Sequence, residues 1–317
     1  MDEFSLINTF FKSISHHRDD VIVGIGDDAA CLKISQGMDL VVSCDTLVEG
    51  IHFLSEWDPA DIAYKAVMVN VSDMAAMGAT PCWVTLALTL PSGDDVFLER
   101  FSQGLQRALK EYNIALIGGD TTRGPLTITL TIHGMLPSGQ AVRRSGAVIG
   151  DLIYVSGELG AAALAVENLT SNDISGADKA VIMKKLLHPY PRIDLGCHLR
   201  DLSTAAIDIS DGLNADLYHI CDASQVGACL NLEAIPVHPL VKKYRGLTSL
   251  DFALSGGDDY ELCFTVSPKK EQQLLNSLAQ SSLSIYPIGV IDEGQGIRIK
   301  TSLGEISPLP RRGYRHF

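Results

Sequence analysis

Apolar and polar positions follow two different periods along this chain, and the alternation predicts mixed α/β structure. The stretch DPADIAYKAVMVNVSDMAAMG at 58–78 has the apolar spacing of a long helix. Asp58 can cap this helix, Pro59 suits its first position and Gly78 can end it. A second helix is predicted at 94–112, and strands are predicted at 39–44, 82–90, 114–119 and 125–136.

The second half of the chain repeats this mixture of strands and helices. Strands are predicted at 152–157, 205–210 and 260–266, and helices at 161–169 and 212–223. Between the halves, PSGQAVRRSGAVIG at 137–150 is rich in Gly and Ser, which is typical of a junction. We therefore predict two domains, residues 1–140 and 141–317.

Composition narrows the range of partners. Of 317 residues, 46% are apolar and 20% are charged, which suits a folded core and argues against disorder. The formal net charge of −13 gives no general attraction to nucleic acid or to an anionic membrane. An anionic ligand would therefore need local donors or a metal ion.

The cysteines and the N-terminal sequence bear on location. Seven cysteines, an odd number with no CxxC pair, are typical of a reduced protein. The start MDEFSLINTF lacks the basic and apolar regions of a signal peptide, and no apolar stretch approaches the length of a membrane span. We expect a soluble, cytoplasmic protein.

Aspartates recur where strands are predicted to end, most of them beside glycines. Taken singly, each is explained by turn chemistry or by helix capping. Asp73 is an exception, because it lies within a largely apolar helix, where a carboxylate needs a partner or a metal ion. The other aspartates are Asp27 and Asp28 in GIGDDAA, Asp45 in SCDT, Asp120 in GGDTTRG, Asp208 and Asp211 in DISDG, and Asp258 and Asp259 in SGGDDYEL.

Taken together, these carboxylates favour sites for hard cations. Magnesium prefers oxygen ligands, and several such ions can hold a polyphosphate, which reconciles the acidic composition with an anionic ligand. The chain has no GxxxxGK[ST] loop, no HRD and DFG pair, no GxGxxG, no HExxH and no EF-hand spacing. Phosphoryl transfer on this chain would therefore use a different scaffold.

Seven ordered motifs closely resemble those of the thiamine-monophosphate kinase family, and the similarity runs through the terminal GYRHF. The motifs are GIGDDAA, SCDTLVEGIHF, DPADIAYKAVMVNVSDMAAMGATP, LIGGDTTRG, RSGA, IDISDGL and SGGDDYELCF. The resemblance implies the two-domain fold of aminoimidazole-ribonucleotide synthetase, with an N-terminal ATP- and magnesium-binding domain that pairs in a homodimer. It also implies transfer of phosphate from ATP to thiamine monophosphate, which makes thiamine diphosphate.

The resemblance implies roles for matched residues. Cys44 stands where the family more often has Thr, so its backbone carbonyl is the group expected to serve. Asp258 stands where the family usually has Glu. The implied magnesium ligands are Asp28, Ser43, Cys44, Asp45, Asp73, Asp120, Asp208 and Asp211; the implied ATP contacts are Gly119, Asp120, Arg144 and Ser210; the implied thiamine phosphate contacts are His52, Asp258 and Tyr314.

No catalytic His or Cys is evident, so we expect charge neutralisation by metal ions and Arg144 instead. Three alternatives remain open. A selenophosphate synthetase should carry a reactive Cys before GIGDD, and there is none. Aminoimidazole-ribonucleotide synthetase should differ around EGIHF and SGGDDYEL. A catalytically silent metal- or nucleotide-binding module would release no ADP with or without thiamine monophosphate.

Overall fold

The structure is a computed structural model that describes residues 3–15 and 17–314. The chain divides into two compact units. The first unit comprises the residues up to Met74 together with Ala79–Gly139, and the second comprises Ala75–Gly78 and the residues from Gln140 onward.

Ten α-helices lie in the described part of the chain, along with four helical turns of other types. The turns are a π-helical turn at Ile7–Phe11 and 3-10 turns at Lys12–Ile14, Leu232–Ala234 and Gly246–Thr248. The helices are α1 (Glu3–Leu6), α2 (Pro59–Ala76), α3 (Asp95–Glu111), α4 (Ala161–Ser171), α5 (Gly176–Leu187), α6 (Ile193–Leu199), α7 (Leu213–Ser224), α8 (Pro239–Arg245), α9 (Ser249–Ser255) and α10 (Pro268–Leu278).

The strands form three sheets. A small sheet pairs β1 with β2, a four-stranded sheet has the order β3-β6-β4-β5, and a seven-stranded sheet has the order β13-β12-β9-β11-β7-β10-β8. The strands are β1 (Val21–Val23), β2 (Cys31–Leu32), β3 (Met38–Val48), β4 (Thr80–Leu90), β5 (Ala115–Arg123), β6 (Thr127–Pro137), β7 (Leu152–Val155), β8 (Ser203–Asp208), β9 (Gly227–Asn231), β10 (Leu262–Val266), β11 (Tyr286–Asp292), β12 (Ile297–Lys300) and β13 (Ile306–Leu309).

Local sequence explains the long helices of the first unit. The Asp58 carboxylate accepts the amide of Ala60 at 2.9 Å, so it caps α2 as predicted. The Asp94 carboxylate does the same for α3, accepting the amide of Val96 at 2.9 Å. At Gly104 a β-carbon would lie 2.0 Å from the Ala60 carbonyl oxygen, so only glycine lets α3 approach α2 this closely.

The four-stranded sheet sets the faces on which the acidic side chains lie. β3 and β6 pair antiparallel over eleven residues each, and β4 and β5 pair in parallel. Along β3 the more buried and the more exposed positions alternate, with Val41, Ser43 and Asp45 on the more buried face and Val42 and Cys44 on the exposed one. Because the order is not sequential, β3 and β5 are opposite edges of the sheet.

The second unit is built on the seven-stranded sheet. Strand β8 is its edge and pairs antiparallel with β10, so that Asp208 lies opposite Leu262. The core beside these strands includes Tyr154 and Phe264, whose rings stack with centroids 5.5 Å apart. Asp208, at the end of β8, therefore lies next to a closely packed apolar core.

The mixed α/β class predicted from the sequence is confirmed. Each strand and helix predicted individually is present, with shifts of a few residues at the ends; for example, the helix expected at 58–78 spans Pro59–Ala76. The sequence patterns did not predict six of the helices and five of the strands: α1, α5, α6, α8, α9 and α10, and β2, β9, β11, β12 and β13. The domain assignment to 1–140 and 141–317 remains a prediction.

Candidate functional site

In the first unit, β3 and α2 bring two predicted magnesium ligands together. The Ser43 hydroxyl donates a hydrogen bond of 2.5 Å to the Asp73 carboxylate. Asp45 lies two residues along the same face of β3. Burial, and then repulsion from Asp73, raises the pKa of Asp45 to about 6. Two carboxylates that repel each other in a partly buried position form a set of hard oxygen donors that a divalent cation would stabilise.

Cys44 projects from the other face of β3. Its thiol is exposed and accepts a hydrogen bond from the Thr131 hydroxyl at 3.4 Å. The side chain is thus separated from Ser43 and Asp45 by the strand itself. A role for its backbone carbonyl stays a prediction.

A second group of acids surrounds a cavity of about 770 Å³ at the other side of the first unit. The lining includes the predicted residues Asp28, Gly119 and Asp120, together with Asp27 and Lys12. The loop that carries the two adjacent aspartates is closed locally, because the Asp28 amide donates to the Asp27 carboxylate at 2.9 Å. This cavity joins acidic groups with one cationic side chain.

Gly119 is required at this cavity by the approach of β4. A β-carbon at this position would lie 1.8 Å from the Leu86 carbonyl oxygen, and the backbone has φ +152°. The neighbouring Gly118 has open space around it. Of the two glycines, only Gly119 is fixed by packing.

The two acidic groups of the first unit are separate. Asp45 lies opposite Leu130 on β6, which lies opposite Leu86 on β4, which in turn lies opposite Gly119. Asp45 and Asp120 are therefore three strand spacings apart, roughly 14 Å. Within residues 3–15 and 17–314, no group of three or more His, Cys, Asp or Glu side chains is arranged to hold a metal ion.

His52 lies just after β3, in a turn that its own ring helps to close. The Val48 amide donates to His52 Nδ1 at 3.0 Å, and the His52 amide donates to the Val48 carbonyl at 3.0 Å. Nδ1 is therefore an acceptor in this turn. The contact with thiamine phosphate predicted for His52 stays a prediction.

In the second unit, the DISDG corner joins the end of β8 to α7. Gly212 has φ +111° and a β-carbon there would lie 2.9 Å from the carbonyl carbon of Ser255. Asp208 is buried, and the carboxylate of Asp216 on α7 accepts the amide of Asp211 at 3.0 Å. Burial, followed by repulsion from Asp208 and Asp211, raises the pKa of Asp216 to about 8.

Two residues of the second unit that were predicted to contact thiamine phosphate, Asp258 and Tyr314, are held at this corner by main-chain hydrogen bonds. The Asp258 amide donates to the Ser210 carbonyl at 2.8 Å. The Tyr314 amide donates to the Asp211 carbonyl at 3.1 Å, and the Tyr314 side chain is half exposed. Asp258 and Tyr314, which are 56 positions apart in the chain, thus meet at two consecutive peptide groups.

Arg144 is exposed beside the C-terminal half of α7. Its carbonyl accepts from the Ser224 hydroxyl at 3.4 Å. It lies close enough to His219 to help lower the pKa of that imidazole, after the larger effects of burial and of Arg311. Arg311 itself pairs with Asp222 at 3.1 Å. Arg144 and Arg311 are thus two cationic side chains close to His219.

Three further charged side chains of these sites were not predicted from the sequence. Asp216 was signalled by its position on an apolar helix face five residues after Asp211. Glu261 was signalled only as a carboxylate inside the strand pattern YELCFTV, where it is buried. Lys12 had no local signal, since the chain fold alone brings it to the cavity.

The sequence is similar over nearly its whole length to proteins of known function. Residues 26–136 match the family described as AIR synthase related protein, N-terminal domain, and residues 148–302 match the corresponding C-terminal domain. The thiamine-monophosphate kinase of Escherichia coli K12 is 47% identical over 99% of this chain and 98% of that protein.

Solved structures agree with these matches. The thiamine-monophosphate kinase of Stenotrophomonas maltophilia K279a has a TM-score of 0.87 and 42% identity, over 94% of this chain and 96% of that chain. A structure described as AaThiL complexed with AMPPCP and TMP has a TM-score of 0.80 and 31% identity, over 99% of this chain and 97% of that chain. The resemblance and the two-domain fold inferred from the seven motifs are confirmed.

Proposed function

Because this chain belongs to the thiamine-monophosphate kinase family and phosphorylates thiamine monophosphate with ATP, we propose that the γ-phosphoryl group moves directly, in line, to a phosphate oxygen of the acceptor. The products are ADP and thiamine diphosphate. A phosphate monoester is already an anion near neutral pH, since its second pKa is about 6. The nucleophile therefore needs no general base.

The acceptor side of this proposal is carried by one observation, the fixing of Asp258 and Tyr314 to the Ser210–Asp211 peptides. A carboxylate and a half-exposed aromatic ring suit a ligand with a cationic thiazolium, which favours both a negative charge and a π face. We assign Asp258 and Tyr314, with His52 from the first unit, to thiamine monophosphate.

The donor side is assigned to the remaining predicted residues. Gly119 and Asp120 line the cavity of the first unit, whose volume of about 770 Å³ suits a ligand of the size of a nucleotide. Arg144 and Ser210 of the second unit are assigned to the phosphates of ATP. Arg144 is suited to this because a guanidinium stays protonated and presents several donors.

Magnesium fits the donor set. The partly buried Asp45 and Asp73 carboxylates repel each other, and cations would relieve this repulsion. We propose several magnesium ions; when bound, they neutralise charge on the phosphates and so favour their approach. The side chains proposed to hold them are Asp28, Ser43, Asp45, Asp73, Asp120, Asp208 and Asp211, together with the backbone carbonyl of Cys44.

Charge neutralisation is the main requirement of this reaction. Two like unit charges about 4 Å apart repel by roughly 4 kcal/mol at an effective dielectric constant near 20. A positive side chain such as Arg144, aligned with the transferred group, offsets that repulsion. The residues of this chain act by binding, orientation and charge.

The stereochemical course of the reaction tests the in-line proposal. ATP made chiral at the γ-phosphorus with oxygen isotopes should give thiamine diphosphate with inverted configuration, as a single direct displacement requires. Retention would indicate two displacements through a phosphorylated enzyme and would overturn the proposal. ADP release measured with and without thiamine monophosphate separates transfer from a silent binding module, which releases none.

Mutation tests the acceptor assignment separately. Asp258→Ala and Tyr314→Ala should each raise the KM for thiamine monophosphate about tenfold and leave the KM for ATP within twofold. Asp251→Ala, which removes an exposed aspartate in the first turn of α9, is a matched control and should change neither constant. Unchanged constants in both site variants would contradict the assignment.

We also propose a homodimer formed by the N-terminal domain, and a cytoplasmic location. The exposed face of β3 carries Leu40 and Val42, which are 47% and 53% exposed, at an edge of the sheet. The seven cysteines are free thiols, which supports a reducing compartment. No helix among the described residues has the length and apolarity to cross a membrane. Light scattering gives the molar mass of each protein in solution. The unmodified protein should be a dimer, and the Val42→Lys variant should be a monomer.

A further inference from the structure

The carboxylate of Asp258 has a partner within its own loop. The Tyr260 hydroxyl donates to Asp258 Oδ1 at 3.1 Å. Tyr260 is 9% exposed, whereas the Asp258 side chain is only half-buried. The buried phenol thus holds a carboxylate that reaches toward solvent.

The backbone of this loop is strained at both residues. Asp258 has φ +68° and Tyr260 has φ +50°, in the left-handed region that non-glycine residues rarely adopt. Such conformations persist only where the surroundings impose them, and they are concentrated at functional sites. With either residue in an ordinary extended or helical conformation, the two side chains would not be aligned in this way.

Backbone hydrogen bonds impose the conformation. The Asp258 amide donates to the Ser210 carbonyl at 2.8 Å, and the Tyr260 amide donates to the Ile209 carbonyl at 2.8 Å. The Ile209 amide in turn donates to the Glu261 carbonyl at 2.7 Å. The loop therefore follows the DISDG corner residue by residue.

A buried ion pair fixes the end of the loop. The Glu261 carboxylate, 4% exposed, accepts from the Arg192 guanidinium at 2.6 and 2.5 Å and from the Ser156 hydroxyl at 2.5 Å. At Gly157 a β-carbon would lie 2.3 Å from this carboxylate, so glycine is needed there. Removal of Arg192 would leave a buried carboxylate without its counter-ion.

We propose that Tyr260 is a positioning residue for thiamine monophosphate: its hydroxyl aims the Asp258 carboxylate, and the Arg192–Glu261 pair fixes the loop from which both side chains project. The inference rests on the proposed role of Asp258 in acceptor binding. A carboxylate held by one hydrogen bond loses rotamer freedom before the ligand arrives, so less ordering is left to the binding step. Tyr260 acts through Asp258 and touches no reacting atom.

A double-mutant cycle on the full-length protein tests this, with steady-state kinetics in ATP and in thiamine monophosphate. Tyr260→Phe removes one oxygen atom and is expected to raise the KM for thiamine monophosphate three- to tenfold, with kcat and the KM for ATP within twofold. In the Asp258→Ala background, Tyr260→Phe should have no further effect, because the group that it aims is gone.

Matched variants separate positioning from general stability. Tyr244→Phe also removes a phenol hydroxyl that donates to an aspartate, Asp178 at 2.7 Å, and should leave all three constants unchanged. Arg192→Lys keeps a positive charge but loses the bidentate contact with Glu261. Like Tyr260→Phe, it is expected to raise the KM for thiamine monophosphate. Thermal unfolding of each variant confirms that the chain remains folded.

The outcomes are distinct. If Asp258→Ala raises the KM for thiamine monophosphate and Tyr260→Phe does not, the positioning role is overturned and the acceptor assignment stands. Equal effects of Tyr260→Phe in both backgrounds would also overturn it. If Asp258→Ala changes nothing, the acceptor assignment fails, and the inference about Tyr260 fails with it.

Discussion

The Ser43 hydroxyl donates to the Asp73 carboxylate across 30 positions of the chain, at 2.5 Å. This contact connects β3 to α2 at the point where Asp45 also projects. The bond uses the serine proton, so the Asp73 carboxylate is the acceptor and the hydroxyl helps to orient it. The same side chains are among the proposed magnesium ligands of the first unit.

Asp45→Asn and Asp73→Asn should each abolish most turnover, by about 10²–10³-fold or more, because each removes a charge that the proposed cations require. The fold should persist, since an amide of the same size relieves repulsion between two carboxylates. ADP release measures the loss of turnover, and circular dichroism measures whether the fold persists. Glu49→Gln, at an exposed position just after β3, is the control and should retain activity. Full activity of either aspartate variant at saturating magnesium would contradict the metal assignment.

Magnesium should stabilise the unmodified protein more than the variant that carries both substitutions. A ligand that binds only the folded state adds about 2.7 kcal/mol at one hundred times its Kd. Thermal unfolding with EDTA and with millimolar magnesium, in the absence of nucleotide, gives the shift in Tm. Equal shifts in the two proteins would place the binding elsewhere.

Gly119→Ala should destabilise the protein by about 3 kcal/mol or more, because the new methyl group would overlap the Leu86 carbonyl at a strained φ. Gly118→Ala is the adjacent control, since nothing lies within 4 Å of its added carbon. Urea unfolding measures both free energies. Equal losses would mean that the close approach of β4 is not the reason for glycine at 119.

Because the pKa of Asp20 is lowered in the folded protein, we expect the free energy of unfolding to depend on pH. It accepts from Arg18 at 2.9 and 2.7 Å and from the Trp83 indole at 3.0 Å, and the Arg18 contact is the main reason that its pKa is lowered. A carboxyl whose pKa is lower in the folded state contributes stability above its unfolded pKa near 4 and loses it as the pH falls through the folded value.

Asp20→Asn should therefore lower the free energy of unfolding by about 1–2 kcal/mol at pH 7. The difference from the unmodified protein should shrink below about pH 4. Urea unfolding across this pH range measures it. Asp19→Asn, at an exposed neighbouring position, is the control and should be neutral. A difference that grows in acid would contradict the assigned sign.

The larger elements of the first unit were predictable from its sequence, because its two long helices begin at Asp58 and Asp94 and the four strands of its larger sheet have nine to eleven residues. The helices α6, α8 and α9 of the second unit were not, since each has seven residues and too few turns to show an apolar period. The longer helices α5 and α10 were not predicted either. The separation of Asp45 from Asp120 was also beyond sequence reasoning. It depends on the order β3-β6-β4-β5, which pattern alone does not determine.

The corner at 208–211 receives both the Asp258 loop and the Tyr314 segment through main-chain atoms. Replacement of the Asp258 or Tyr314 side chain therefore leaves these main-chain contacts in place. An insertion of one residue in either segment would instead displace every side chain that follows it. Engineering a new acceptor preference should accordingly begin with residue exchanges at fixed length. A graft from a relative would have to carry the corner, the loop and the C-terminal segment together.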